Sequence, residues 1–121
     1  MQFRLFVEPK GSGFRTLLLL EFLYEEEIDW YEVRVLSGED VIGYVHGYAN
    51  RGWAPQVNNI WVAEKHRRQG IGTIMMSKIG EYFGQIPLPA TPIEDNPAAR
   101  GFWRNFMKDS RAQGKKGKDG K

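Results

Sequence analysis

The stretch Val62-Ala63-Glu64-Lys65-His66-Arg67-Arg68-Gln69-Gly70-Ile71-Gly72-Thr73 joins a run with strand character to one with helical character, and the rest of the chain is read from it. Before it, Val57 to Val62 reads as a strand entered through Pro55. After it, Ile71, Met75, Ile79 and Tyr82 fall on one helical stripe, widened by Ile74, Met76 and Phe83, and Gly84 stands where such a helix would end. Gly70 and Gly72 remove side chains where a backbone can approach a ligand, so successive N–H groups can converge at the positive end of the helix. That geometry binds phosphate oxygens, and Arg67, Arg68 and Gln69 add charge and donors at the rim. A bare Gly-x-Gly is most often only a turn; the flanking arginines, the strand before and the helix after give this one its meaning. A Walker loop needs Gly-x-x-x-x-Gly-Lys-Ser/Thr, which is absent. The dinucleotide fingerprint needs a third glycine and parallel βαβ surroundings that the pattern does not supply.

Toward the N-terminus, Trp30 to Leu36 and Val41 to Ala49 read as two strands joined by the turn Ser37-Gly38-Glu39-Asp40. On the second, Ile42, Tyr44, His46 and Tyr48 share a face. Phe3, Leu5 and Val7 alternate with polar or charged neighbours and form a short strand that Pro9 stops. The almost wholly apolar run from Phe14 to Tyr24 has the length and leucines of a helix with Ser12 as N-cap, and a buried strand inside it is the other reading. Glu25-Glu26-Glu27, with Asp29 and Glu32, is either a solvated surface or an attractor of cations. Beyond the central helix, Pro87, Pro89 and Pro92 allow a short extended segment around Leu88 to Thr91. Asn96-Pro97 then begins a helix with Ala99, Phe102, Trp103 and Phe106 on one stripe. The order predicts an α+β (mixed α/β) fold, with an antiparallel sheet and helices packed on it.

Composition narrows the function classes. The sequence has 121 residues, enough for one domain over residues 1–107 followed by a basic tail, 108–121, with no apolar residue from Gly114 onward. The tail carries net +4 of a total of +2, which leaves the body at −2. Nucleic-acid binding by the body is therefore not expected, and the tail is either a flexible solvated end or a contact for a nucleic acid or an acidic partner. No apolar run exceeds that of Leu17 to Leu20, which is far short of the ~20 residues that cross a bilayer. With no cysteine and with His46 and His66 as the only histidines, thiol nucleophiles, disulfides and multi-histidine metal sites are excluded. No secretion signal is visible at Met1-Gln2-Phe3-Arg4-Leu5, and a cytoplasmic address is expected.

Arg67-Arg68-Gln69-Gly70-Ile71-Gly72 fits Arg/Gln-x-x-Gly-x-Gly/Ala, and over Val41 to Met107 the sequence resembles the GCN5-related N-acetyltransferase family. Asn96, Ala99, Phe102 and Trp103 look like a second element of that family. The resemblance implies a central, mostly antiparallel twisted sheet flanked by helices, here lacking the last strands. It implies acetyl-CoA as co-substrate and no metal. The backbone of Gln69, Gly70, Ile71, Gly72 and Thr73 would cradle the pyrophosphate beside Arg67 and Arg68. The backbone at Trp61 and Val62 would pair with the pantetheine arm, Asn96 would bond to it or face the sulfur, and Trp103 would line the slot or belong to the core.

The reaction so implied is direct attack of a primary amine, in a small molecule or a protein, on the acetyl thioester. His46 is the residue whose unperturbed pKa of ~6.5 suits a base, with Glu32 or a water held by Tyr44 or Tyr48 as alternatives. Trp103 stands where many relatives have a tyrosine acid. A homodimer is expected from the apolar surplus of the Leu17 to Leu20 run. The runner-up function class is a non-catalytic protein of the same fold that docks onto and modulates a target, in the manner of accessory or phage-encoded proteins, and the third is a nucleic-acid-binding module that uses the basic tail and exposed aromatics.

Overall fold

Five segments whose side chains alternate between two environments pair in chain order, as short connections favour. In a computed structural model, which describes residues 1–11, 17–50, 52–90 and 103–104, they are β1 (Gln2–Val7), β2 (Leu18–Glu25), β3 (Trp30–Ser37), β4 (Asp40–Tyr48) and β5 (Gln56–Val62). Each is antiparallel to the next. Helix α1 (Ile71–Phe83) follows, and β6 (Leu88–Pro89) returns parallel to β5, giving the sheet order β1-β2-β3-β4-β5-β6.

The expected helix over Phe14 to Tyr24 is not formed: Leu18–Glu25 is a strand, and Phe14 to Thr16 lie outside the described residues. Leu18, Leu20 and Phe22 are buried, while Leu19, Glu21 and Leu23 on the opposite face are half-buried. Because both faces are partly covered, both carry leucine, and the period-2 signature disappears from the sequence.

The core lies between one face of the sheet and α1. Ile71, Met75, Met76 and Ile79 of the helix are buried against the side bearing Leu20, Phe22, Tyr31, Val33 and Val45. Phe22 stacks on Phe3 at 4.8 Å and meets Tyr82 at 4.9 Å, so the helix end is held by rings from the first two strands. Gly84, with φ 73°, ends α1 by donating its N–H to Gly80. The helix begins close to β4, where a Cβ on Gly43 would come within 2.8 Å of Ile71 Cγ2. The glycine thus sets how closely the helix, and the loop leading into it, approach the sheet.

The chain divides into two compact units, Met1–Ala90 and Thr91–Lys121. In the second, Trp103 and Arg104 have helical backbone and Trp103 is buried. Asn96, Ala99, Phe102, Phe106 and the basic tail lie outside the described residues.

Candidate functional site

Between β5 and α1 the chain makes a tight 3-10 turn at Glu64–His66, in which His66 N–H donates to Ala63 and Arg67 N–H to Glu64. Arg68 and Gly70 then both take left-handed backbone, φ 72° and 74°. The carbonyl side of this loop is fixed: Gln69 C=O accepts from Lys10 N–H at 2.8 Å, and Gln69 Oε1 lies 3.0 Å from His66 Nδ1. The first helical bond runs from Ile74 N–H to Gly70 C=O. Ahead of it, the N–H groups of Gln69, Gly70, Ile71, Gly72 and Thr73 have no acceptor among the described residues, and Gly70 supplies no side-chain cap. These are the orphan donors of a helix start, gathered by two left-handed residues at the positive end of a 13-residue helix. Arg67 and Arg68 are exposed beside them.

A second feature is the outer edge of β5. Ala63 N–H donates to Ile42 C=O at 2.8 Å, so by the alternation of an antiparallel ladder the N–H groups of Trp61 and Asn59 also face β4. Those of Ile60 and Val62 face away. Opposite His46 and Gly47 the register shifts, with His46 on Asn59 and Gly47 on Val57, which leaves Asn58 as the extra residue of a bulge. β6 covers β5 only below that bulge, through Leu88 N–H to Pro55 and Ala90 N–H to Val57. Above it the edge has no strand partner among the described residues, and Val62 C=O accepts from Arg67 Nε at 3.2 Å. The open edge therefore runs from the bulge to the amide-lined loop.

The third feature is the sheet face opposite α1, level with the bulge. His46 lies between Trp30, at 4.7 Å between ring centroids, and Tyr44, at 5.1 Å. Its Nδ1 is buried and has no hydrogen-bond partner among the described residues. Glu32, its cross-strand neighbour, accepts from Trp30 Nε1 at 3.1 Å and from Arg34 at 3.3 Å. Desolvation, and then the Glu32 charge, raise the Tyr44 hydroxyl above its usual range against a smaller opposing effect of Arg34, so Tyr44 is a proton donor at neutral pH. The Trp61 indole is 45% exposed.

The family model of the acetyltransferase (GNAT) family matches residues 3–107. The chain belongs to the GNAT family. Among solved structures it is similar to an aminoglycoside acetyltransferase, meta-AAC0020, from an uncultured soil metagenomic sample. For the complex with trehalose the TM-score is 0.54 at 17% identity, covering 64% of this chain and 57% of that one. For the complex with sisomicin the TM-score is 0.52 at 18% identity, with the same coverage. A ribosomal-protein-alanine N-acetyltransferase from Brucella melitensis biovar Abortus 2308 shows 20% identity over 53% of this chain and 51% of its own, with a TM-score of 0.42. The chain thus spans little more than half the length of these acetyltransferases. No curated protein matches.

Within this GNAT domain the structure brings Arg67, Arg68, Gln69 and Gly70 of the loop together with Ile71, Gly72 and Thr73 of the first turn of α1, a short turn beyond the Trp61–Val62 end of β5. Gly72 is buried, so that position is part of the packing as well as of the loop. At the edge, the outward amides belong to Ile60 and Val62, whereas that of Trp61 faces β4. Lys10 and Ile60 are the residues at the site that the sequence did not single out. Nothing in the spacing of Lys10 announces a meeting with residue 69; only the return of the first turn across the sheet end creates it. Among the described residues no group of three metal-binding side chains comes together, and no helix is long and apolar enough to cross a membrane.

Proposed function

We propose that this GNAT domain binds acetyl-CoA and transfers the acetyl group to a primary amine of a small molecule or a protein. The observation that carries the reading is the set of acceptor-free amides from Gln69 to Thr73, rimmed by Arg67 and Arg68. The donor set fits a diphosphate: several N–H groups, two guanidinium groups and a left-handed glycine whose missing side chain leaves the approach open. The bound thioester would supply an activated acyl carbonyl. The open edge of β5 would hold its arm, with the Ile60 and Val62 amides as donors to carbonyl oxygens, including the one on which charge develops during attack.

His46 lies on β4 beside the bulge that ends this edge, and its imidazole is the proposed acceptor of the amine's proton. Tyr44 beside it supplies a protonated hydroxyl that can hold the incoming amine or a water. Trp30, Tyr44 and the Glu32 carboxylate suit a cationic acceptor. Asn96 and Trp103 are proposed as contacts to the pantetheine arm on the strength of the family motif.

The test is Thr73→Glu. Thr73 is exposed at the third position of α1, where a carboxylate complements the helix dipole by ~0.3–1 kcal/mol but faces the bound phosphates with like charge. The variant should unfold at higher urea and bind acetyl-CoA at least about tenfold more weakly by calorimetry, the equivalent of ~1.4 kcal/mol. Undiminished affinity would remove the cofactor assignment. A companion measurement, mass spectrometry of amine acceptors incubated with acetyl-CoA and the protein, separates an enzyme from a docking protein of the same fold.

A further inference from the structure

Lys10 lies far in sequence from the glycine loop yet touches it twice. Its N–H donates to Gln69 C=O at 2.8 Å, and its Cβ lies 3.6 Å from where a side chain on Gly70 would begin. The backbone bond fixes where the side chain starts, at the left-handed residue that opens α1. From there a four-carbon stem reaches about 6 Å, far enough to bring the ammonium over the N–H groups that follow Gly70. The side chain is exposed and has no carboxylate partner among the described residues. Arg67 stands three residues before Gly70, with its Nε donating to Val62 C=O at 3.2 Å at the β5 edge. Cations from two separate segments therefore start beside the same amides, one in the turn after β1 and one in the turn after β5.

We infer that Lys10 is a further arm of this site and grips a phosphate of the nucleotide half of the co-substrate. This rests on the acetyl-CoA reading. A compact, mobile ammonium suits a phosphate that sits beside the amide cradle rather than within it. Both the pyrophosphate and the 3′-phosphate of CoA have that chemistry.

Lys10→Met keeps the backbone N–H to Gln69 and removes only the charge; Lys10→Arg keeps the charge. Calorimetry with CoA and with 3′-dephospho-CoA, each at two salt concentrations, is expected to show an approximately tenfold loss of CoA affinity for Lys10→Met. Its dependence on salt should be shallower than in the parent, with most of the affinity retained in Lys10→Arg. A loss confined to CoA assigns the 3′-phosphate, and an equal loss with both ligands assigns the pyrophosphate; either supports the inference. Parent-like affinity in Lys10→Met, or a loss with an unchanged salt slope, overturns it while the co-substrate reading stands. Failure of the parent protein to bind either ligand overturns the reading itself.

Discussion

Arg68 has the least comfortable backbone in the molecule's busiest loop. A non-glycine residue at φ 72° carries a cost of ~1–2 kcal/mol, and it is followed two positions later by Gly70 in the same conformation. These two left-handed residues make the turn that leads into α1. Arg68→Gly should therefore raise stability in urea by about 0.5–1 kcal/mol, the relief being partly offset by the greater freedom of glycine in the unfolded chain. It should at the same time weaken acetyl-CoA binding, because a guanidinium is lost and the loop is freed. A variant that is less stable, or one that binds more tightly, would contradict this account. His46 poses a different question, since its burial between Trp30 and Tyr44 also suits a packed ring. If the His46 imidazole takes the proton, His46→Ala lowers kcat by ~10²–10⁴ with little change in KM for acetyl-CoA, and Trp103→Phe is far milder. Steady-state kinetics on both variants decides it, and the opposite ranking discards the histidine base.

The elements differ in how plainly the sequence announces them. α1 is legible because its apolar stripe, its terminal Gly84 and the loop glycines all agree, and β3, β4 and β5 are legible from alternation broken by turn residues. β2 is not, because leucine on both faces looks like a helix until the pairing with β1 and β3 is known. β6 is only two residues long, and its parallel pairing makes β5, α1 and β6 a βαβ unit that the proline-rich sequence conceals. The bulge at Asn58 is equally silent, since one extra polar residue in a strand leaves no periodic trace. Of the candidate site, the loop was legible; the open edge, Ile60 and Lys10 depend on neighbours far away in sequence.

The glycines of β4 also acquire their meaning from tertiary structure. A Cβ on Gly47 would fall on the Gln56 carbonyl oxygen, whereas one on Gly43 would press on Ile71 and the mobile end of Met75. Backbone cannot yield as side chains can, although the 2.8 Å approach to Ile71 Cγ2 also requires a shift. Gly47→Ala should cost ~3 kcal/mol and Gly43→Ala ~1–2 kcal/mol in urea unfolding, and equal costs would argue against this packing.

At the scale of the whole molecule, Tyr31 links the centre of the sheet to the start of β5. Its ring is fully buried on the α1 side, 5.6 Å from Phe83, and its hydroxyl reaches over Gly47 to donate to Gln56 C=O at 2.7 Å. Burial pushes its ionisation well above the normal tyrosine range. In the unfolded chain the same hydroxyl titrates near ~10, so above that pH the unfolded state loses the proton first and the folded state binds more protons. Stability is then complete below about pH 10 and falls as pH rises toward the folded-state value. Tyr31→Phe should cost ~1 kcal/mol at pH 7 for the lost bond to Gln56, yet decline less steeply between about pH 10 and 11.5. Lysines contribute equally to both proteins, so the difference between the two urea-derived stability curves isolates this one group. Parallel curves would show that Tyr31 does not stay protonated in the core, and a steeper fall in the variant would reverse the sign of the linkage.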